Sequence, residues 1–120
     1  MTVTPQQLAS TLRARQRRLR EEHAARAREL RGKLDVAIAA LGRQGRFTRA
    51  WLIGSLAAGT FGVDSDVDVV VEGSSPTDDD ALGSALARAL GVDVDVLRLE
   101  ALPESFARRV LDEGVVLLGT

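Results

Sequence analysis

The sequence predicts a small α/β domain preceded by one long basic helix, and three observations carry that prediction. No helix breaker stands between Pro5 and Gly42 except Gly32. Beyond Gly42 the hydrophobic period switches, and strand-like and helix-like stretches then alternate. The length of 120 residues, 45% of them hydrophobic and 28% charged, suits a single soluble unit. We divide it into a helical arm over residues 1–45 and a globular part over residues 46–120.

Thr4-Pro5-Gln6-Gln7 opens the helix, with Thr4 as N-cap, Pro5 at the first helical position and Gln7 closing a capping box. Gly32 weakens it by about 1 kcal/mol relative to Ala but does not end it. Leu8, Leu12, Leu19, Ala27, Leu30, Leu34, Ile38 and Leu41 form one stripe, with Gln16 and His23 in its gaps. A helix of this length spans about 57 Å at 1.5 Å per residue. The globule formed by the rest is only about 25–30 Å across. The first half of the helix must therefore overhang, leaving Leu8, Leu12 and Leu19 for another chain to cover.

Phe47 to Ile53 reads as the first strand and Asp66 to Val71 as the second, alternating at first and then continuously apolar. Thr77 with Asp78, Asp79 and Asp80 is expected to cap a helix whose apolar face is Leu82, Ala85, Leu86, Ala89 and Leu90, ended by Gly91. Val92 to Leu97 is the third strand. Pro103 to Glu113 is a last helix, with Phe106 and Val110 one turn apart, and Val115 to Leu118 a short final strand. Trp51, directly before Leu52-Ile53, belongs in the core rather than against a nucleobase.

Composition excludes several chemistries. The chain has no cysteine, which removes disulfides, thiol nucleophiles and zinc–thiolate sites, and its one histidine cannot build a His-rich metal centre. No run of about 18 apolar residues and no signal-peptide pattern occur, so a cytoplasmic protein with no membrane contact is expected. The net charge of −1 conceals 12 basic and 4 acidic residues in positions 1–50, against 4 and 13 in positions 51–120. The arginines surround the helix and are interrupted by Glu21, Glu22 and Glu29. A solvated or protein-docking arm is thus preferred over a nucleic-acid-binding one.

The carboxylates are the informative half. Residues two apart in a strand share a face, so Asp66 and Asp68 set two carboxylates side by side, and Asp93 and Asp95 repeat the pattern on the third strand. Aspartate opposes β-propensity, and clustered carboxylates disfavour one another's ionisation. A hard divalent cation, Mg²⁺ or Mn²⁺, would resolve that repulsion. Ahead of them, Gly54-Ser55 follows a strand and opens a short helix, a turn that offers backbone N–H groups and a hydroxyl to a phosphate. A phosphate cradle beside metal-binding carboxylates implies phosphoryl or nucleotidyl transfer.

Gly54-Ser55, ten intervening residues and then Asp66-Val67-Asp68 resemble the signature of the minimal nucleotidyltransferase (MNT) branch of the DNA polymerase β-like nucleotidyltransferases. The stretch from Val94 to Gly119 is similar to that family's third-carboxylate strand, following helix and closing strand. The resemblance covers residues 47–119 and implies a small mixed-sheet fold. It also implies that Gly54 and Ser55 contact the β- and γ-phosphates of a nucleotide, and that Asp66 and Asp68 ligate Mg²⁺ or Mn²⁺. Asp95 would be the third carboxylate, at once metal ligand and activator of the acceptor hydroxyl, with Asp93 in reserve. The implied reaction transfers a nucleoside monophosphate, AMP from ATP, to a hydroxyl on a macromolecule supplied in trans. An MNT-type antitoxin modifying a HEPN-type toxin fits that description. Leu56 and Gly62-Val63-Asp64 stand where relatives often carry basic residues, leaving triphosphate grip to Arg49, Arg98 or a partner. The alternatives are an MNT-fold protein that neutralises or scaffolds its partner by binding alone, and a homo-oligomer built on the long helix.

Overall fold

The computed structural model describes residues 2–59 and 66–119. Helix α1 (Pro5–Arg43) is continuous through Gly32. The capping box forms as the sequence predicts: the Gln7 amide donates to the Thr4 hydroxyl at 3.1 Å, and the Thr4 amide to the Gln7 side chain at 2.9 Å. Strand β1 (Arg49–Ile53) runs straight into the short helix α2 (Gly54–Ala58), which closes on a left-handed Gly59. Then come β2 (Val67–Glu72), α3 (Asp79–Leu90), β3 (Val94–Arg98), a single 3₁₀ turn over Leu99–Ala101, α4 (Glu104–Glu113) and β4 (Val115–Leu118).

The four strands form one mixed sheet in the order β3-β2-β1-β4. β1 pairs antiparallel with both β2 and β4, whereas β2 and β3, joined through α3, are parallel. One face packs on helices: Ala50, Leu52, Val67, Val69 and Val71 meet Leu30, Leu34, Ile38 and Leu41 of α1 and Leu82, Leu86 and Leu90 of α3. The other face carries Trp51 and Val70 beneath Leu99 and Val110, so α4 covers only part of it. β2 is therefore buried on both sides at its centre, which explains the unbroken Val69-Val70-Val71 run. Trp51 is 3% exposed and packs in this second core, with the Arg49 guanidinium 4.9 Å from its ring centroid.

The helix stripe divides where the sequence predicts. Leu30, Leu34 and Ile38 are fully buried, while Leu8, Leu12 and Leu19 are 53%, 45% and 48% exposed on the overhang. The molecule accordingly extends 65 × 30 × 22 Å along its principal axes.

Several local readings need correction. The first strand begins at Arg49, because Phe47 leaves the ladder to enter the core; the second spans Val67–Glu72, leaving Asp66 just before it; the third spans Val94–Arg98 rather than Val92 to Leu97. Thr77 does not cap α3: the N-cap is Asp78, and it makes no side-chain cap bond. The Asp78 carboxylate instead accepts two bonds from Arg46, from Nε at 3.0 Å and Nη2 at 2.7 Å, tying the chain after α1 to the start of α3. Thr77 pairs with Ser75 across 3.0 Å. Ala89, expected on the apolar face of α3, is exposed.

Candidate active site

Strand direction places the site. Because β1 and β2 are antiparallel and β2 and β3 parallel, the C-terminal end of β1 lies beside the N-terminal ends of β2 and β3. Ile53 is the register partner of Asp68, and Asp68 that of Asp95. The Gly54-Ser55 turn and both carboxylates thus share one end of the sheet, and register partners share a face. This is the face that α4 only partly covers.

Gly54 makes the closest link. It has φ +79°, and a Cβ built on it would lie 2.7 Å from Oδ2 of Asp68. Only glycine allows both the left-handed turn and a carboxylate seated directly against it.

Asp68 is half-buried, and its carboxyl is pushed above the usual carboxylate range. Burial is the main cause, followed by repulsion from Asp95 and then from Asp66. Asp66 and Asp95 are both exposed and flank Asp68 at the mouth of a 660 Å³ groove, which runs along β3 to Asp79 and Asp80 at the start of α3. Asp93 also borders the groove but lies before the strand, where its backbone carbonyl accepts from the Val67 amide at 3.2 Å. Asp95 is therefore the residue opposite Asp68, and Asp93 is not.

The donor set fits a hard divalent cation. Hard oxygens carry negative charge that neighbours and burial make costly, and a cation would relieve that cost. Among the described residues no three acidic side chains are already gathered around one point. Mg²⁺ is ordinarily held by one or two carboxylates together with substrate phosphates, not by an all-protein cage, so this arrangement suits it.

On the other side of Gly54 a cleft of 630 Å³ opens between α2 and α4, lined by Ile53, Gly54, Ser55, Ala57, Ala58, Phe106, Arg109, Val110, Glu113 and Gly114. Arg49 and Arg98, the two arginines expected to grip a triphosphate, are elsewhere. Arg49 lies at the opposite end of β1, about 13 Å along the strand from Ile53, and is bound by Glu72 through Nε at 2.6 Å and Nη2 at 3.0 Å. Arg98 is three residues beyond Asp95, so it points to the other face, with its Nη2 4.0 Å from Glu100. Leu56 is buried in the core. Gly62-Val63-Asp64 lies outside the described residues. The cation that shares this cleft with the Gly-Ser turn, among the described residues, is Arg109, which the sequence reading missed. Its signal was available: Arg109 and Glu113 flank the Phe106–Val110 stripe by which α4 packs on the sheet.

The polymerase β nucleotidyltransferase family model matches residues 35–120. The chain belongs to that family. The match takes in the end of α1 as well as the whole α/β unit, consistent with Ile38 and Leu41 packing in the core. The chain is similar to several solved members of the MNT type. One, assigned to the minimal nucleotidyltransferases, is 28% identical with a TM-score of 0.64, the match covering 74% of this chain and 93% of that one. Another is a toxin–antitoxin complex with AMP-PNP, 28% identical with a TM-score of 0.63, covering 72% and 73%. A third is an MNT antitoxin in complex with a tri-AMPylated HEPN toxin from Shewanella oneidensis, 26% identical with a TM-score of 0.53, covering 72% and 71%. No curated protein matches the chain. Among the described residues no helix is long and apolar enough to cross a membrane.

Proposed function

We propose that this family member transfers AMP from ATP to a hydroxyl of a protein partner, in the manner of an MNT antitoxin acting on a HEPN toxin. The observation that carries the reading is the Asp68 carboxylate seated on Gly54 and flanked by Asp66 and Asp95, which joins a phosphate-binding turn to a cation-binding cluster within one strand end. The similar toxin–antitoxin complexes, one with an AMPylated toxin, support the choice of nucleotide and partner.

In this mechanism Gly54 and Ser55 hold the β- and γ-phosphates, and Asp66, Asp68 and Asp95 hold Mg²⁺ or Mn²⁺. The bound metal supplies Lewis-acid stabilisation of charge developing on the attacking and leaving oxygens. Asp95, exposed at the groove mouth, accepts the proton of the partner's hydroxyl. The oxygen freed of that proton forms a bond to the α-phosphorus, the bond to the β-phosphate oxygen breaks in line, and pyrophosphate departs with that electron pair. Open solvent at the groove gives room for an acceptor presented by another protein.

Incubation with α-labelled ATP, Mg²⁺ and the cognate HEPN-type protein should label the partner, and Asp66→Ala should abolish the label. Absence of label with all four nucleotides would remove the catalytic reading.

A second reading, neutralisation by binding alone, is favoured by the exposed Leu8, Leu12 and Leu19 on the overhanging half of α1. On that reading Asp66→Ala leaves neutralisation intact, while charging those three leucines abolishes it. A homo-oligomer through the same helix would show in sedimentation of the isolated chain.

A further inference from the structure

The Gly-Ser turn supplies only neutral donors, and the three aspartates beside it repel an anion until a cation is bound. The highly anionic tail of a nucleoside triphosphate needs positive charge where it leaves the metal cluster. Three of the six arginines of the globular part are placed elsewhere: Arg46 on Asp78, Arg49 on Glu72, and Arg98 beside Glu100 on the far face. The residue that follows Ser55 is the buried, uncharged Leu56. Arg109 differs from all of these. It lines the cleft that begins at Gly54 and Ser55, and among the described residues it is the one cation that does so. Its side chain is 73% exposed, and its contact with Glu113, at 3.9 Å and one helical turn away, is too long and too open to fix it. Val110, its neighbour in sequence, is buried against Trp51, which anchors this turn of α4 over the sheet.

We infer that Arg109 grips the terminal phosphates of the nucleotide, reaching across the cleft from α4 to the phosphates held by Gly54 and Ser55. The inference rests on the nucleotide reading above and adds a residue to it. The nucleotide then spans two compartments. The α-phosphate lies at the carboxylates over β2 and β3, and the β- and γ-phosphates pass over Gly54 towards α4. A guanidinium is suited to this position because its planar fork can bond two phosphate oxygens at once. Glu113 offers little competition for the arginine, because a short bidentate contact to phosphate displaces a long exposed one.

Calorimetric titration of the full chain with ATP, ADP and AMP in the presence of Mg²⁺ tests this. Wild type should bind ATP more tightly than AMP. Arg109→Ala should weaken ATP by about 10- to 100-fold, the range expected for hydrogen bonds to a charged group, and leave AMP affinity unchanged. Arg109→Lys should recover part of the loss, and Glu113→Gln should bind ATP at least as tightly as wild type. Equal ATP affinity in wild type and Arg109→Ala, or an equal loss for ATP and AMP, would overturn the inference while leaving the nucleotide reading standing. A wild type that binds no nucleotide at all would overturn both. Arg109 is exposed, so an unchanged melting temperature in Arg109→Ala confirms that the comparison is between folded proteins.

Discussion

Replacing Gly54 by alanine separates backbone strain from displacement of Asp68, because the same short helix contains its own control. Gly54, the first residue of α2, and Gly59, its C-cap, have φ +79° and +75°, so alanine at either position carries a positive-φ penalty, about 1–2 kcal/mol. For a chain of 120 residues that corresponds to about 4–8 °C in melting temperature. The two sites differ in what the new methyl meets. At Gly59 nothing among the described residues lies within 4 Å, whereas at Gly54 the Asp68 carboxylate oxygen is 2.7 Å away and must retreat to at least 3.4 Å for ordinary contact. On the proposed mechanism, in which Asp68 holds the metal, a shift of that size costs about 10²-fold in rate. Both variants should therefore melt earlier by similar amounts, but only Gly54→Ala should lose AMP transfer to the partner and the stabilisation conferred by Mg²⁺ with ATP. Transfer by Gly54→Ala within twofold of Gly59→Ala would refute the idea that the seat of Asp68 on Gly54 matters to the chemistry.

Two further outcomes are expected. The raised carboxyl pKa of Asp68 means that the folded chain binds this proton more tightly than the unfolded chain, so the ionised side chain destabilises the fold above that pKa and not below the unfolded value of about 3.9. In metal-free solution Asp68→Asn should melt higher than wild type at pH 7, with the difference closing as the pH falls towards 4; addition of Mg²⁺ with ATP should then stabilise wild type alone. A wild type more stable than Asp68→Asn at pH 7 without metal would contradict the repulsion from Asp66 and Asp95. On α1, the triple change Leu8→Lys, Leu12→Lys and Leu19→Lys should leave the melting temperature near that of wild type, whereas Leu34→Ala, in the same stripe but fully buried, should cost about 2–5 kcal/mol. Pull-down with the partner should fail for the triple variant if the overhang is a docking arm, and equal recovery would dismiss that role.

The long helix, its capping box and the division of its stripe were all legible in the sequence, because each depends on contacts within about four residues or on simple length. The nearness of Asp66 to Asp68 was legible too, although Asp66 stands just before β2 rather than in it. The choice between Asp93 and Asp95 was not legible from the two-residue strand period, since both have the same parity. The parallel register of β2 and β3 adds that Asp95, and not Asp93, stands opposite Asp68. The cap predicted at Thr77 failed for a related reason: Asp78 finds Arg46, thirty-two residues away in the chain, and that bidentate contact outweighs a local turn preference.

The sequence by itself thus determined the elements, the acidic identity of one sheet end and the turn that precedes it, all of which are local or periodic properties. Tertiary structure alone decided that Gly54 lies against Asp68, that Arg49 is bound by Glu72 and Arg98 faces the other side of the sheet, and that Arg109 lines the same cleft as Ser55. Those placements follow from which strand lies next to which and from α4 folding back over Trp51, and both are set by burying two hydrophobic faces of a single sheet at once. No short stretch of chain carries that information, because each face draws its residues from segments far apart in the sequence.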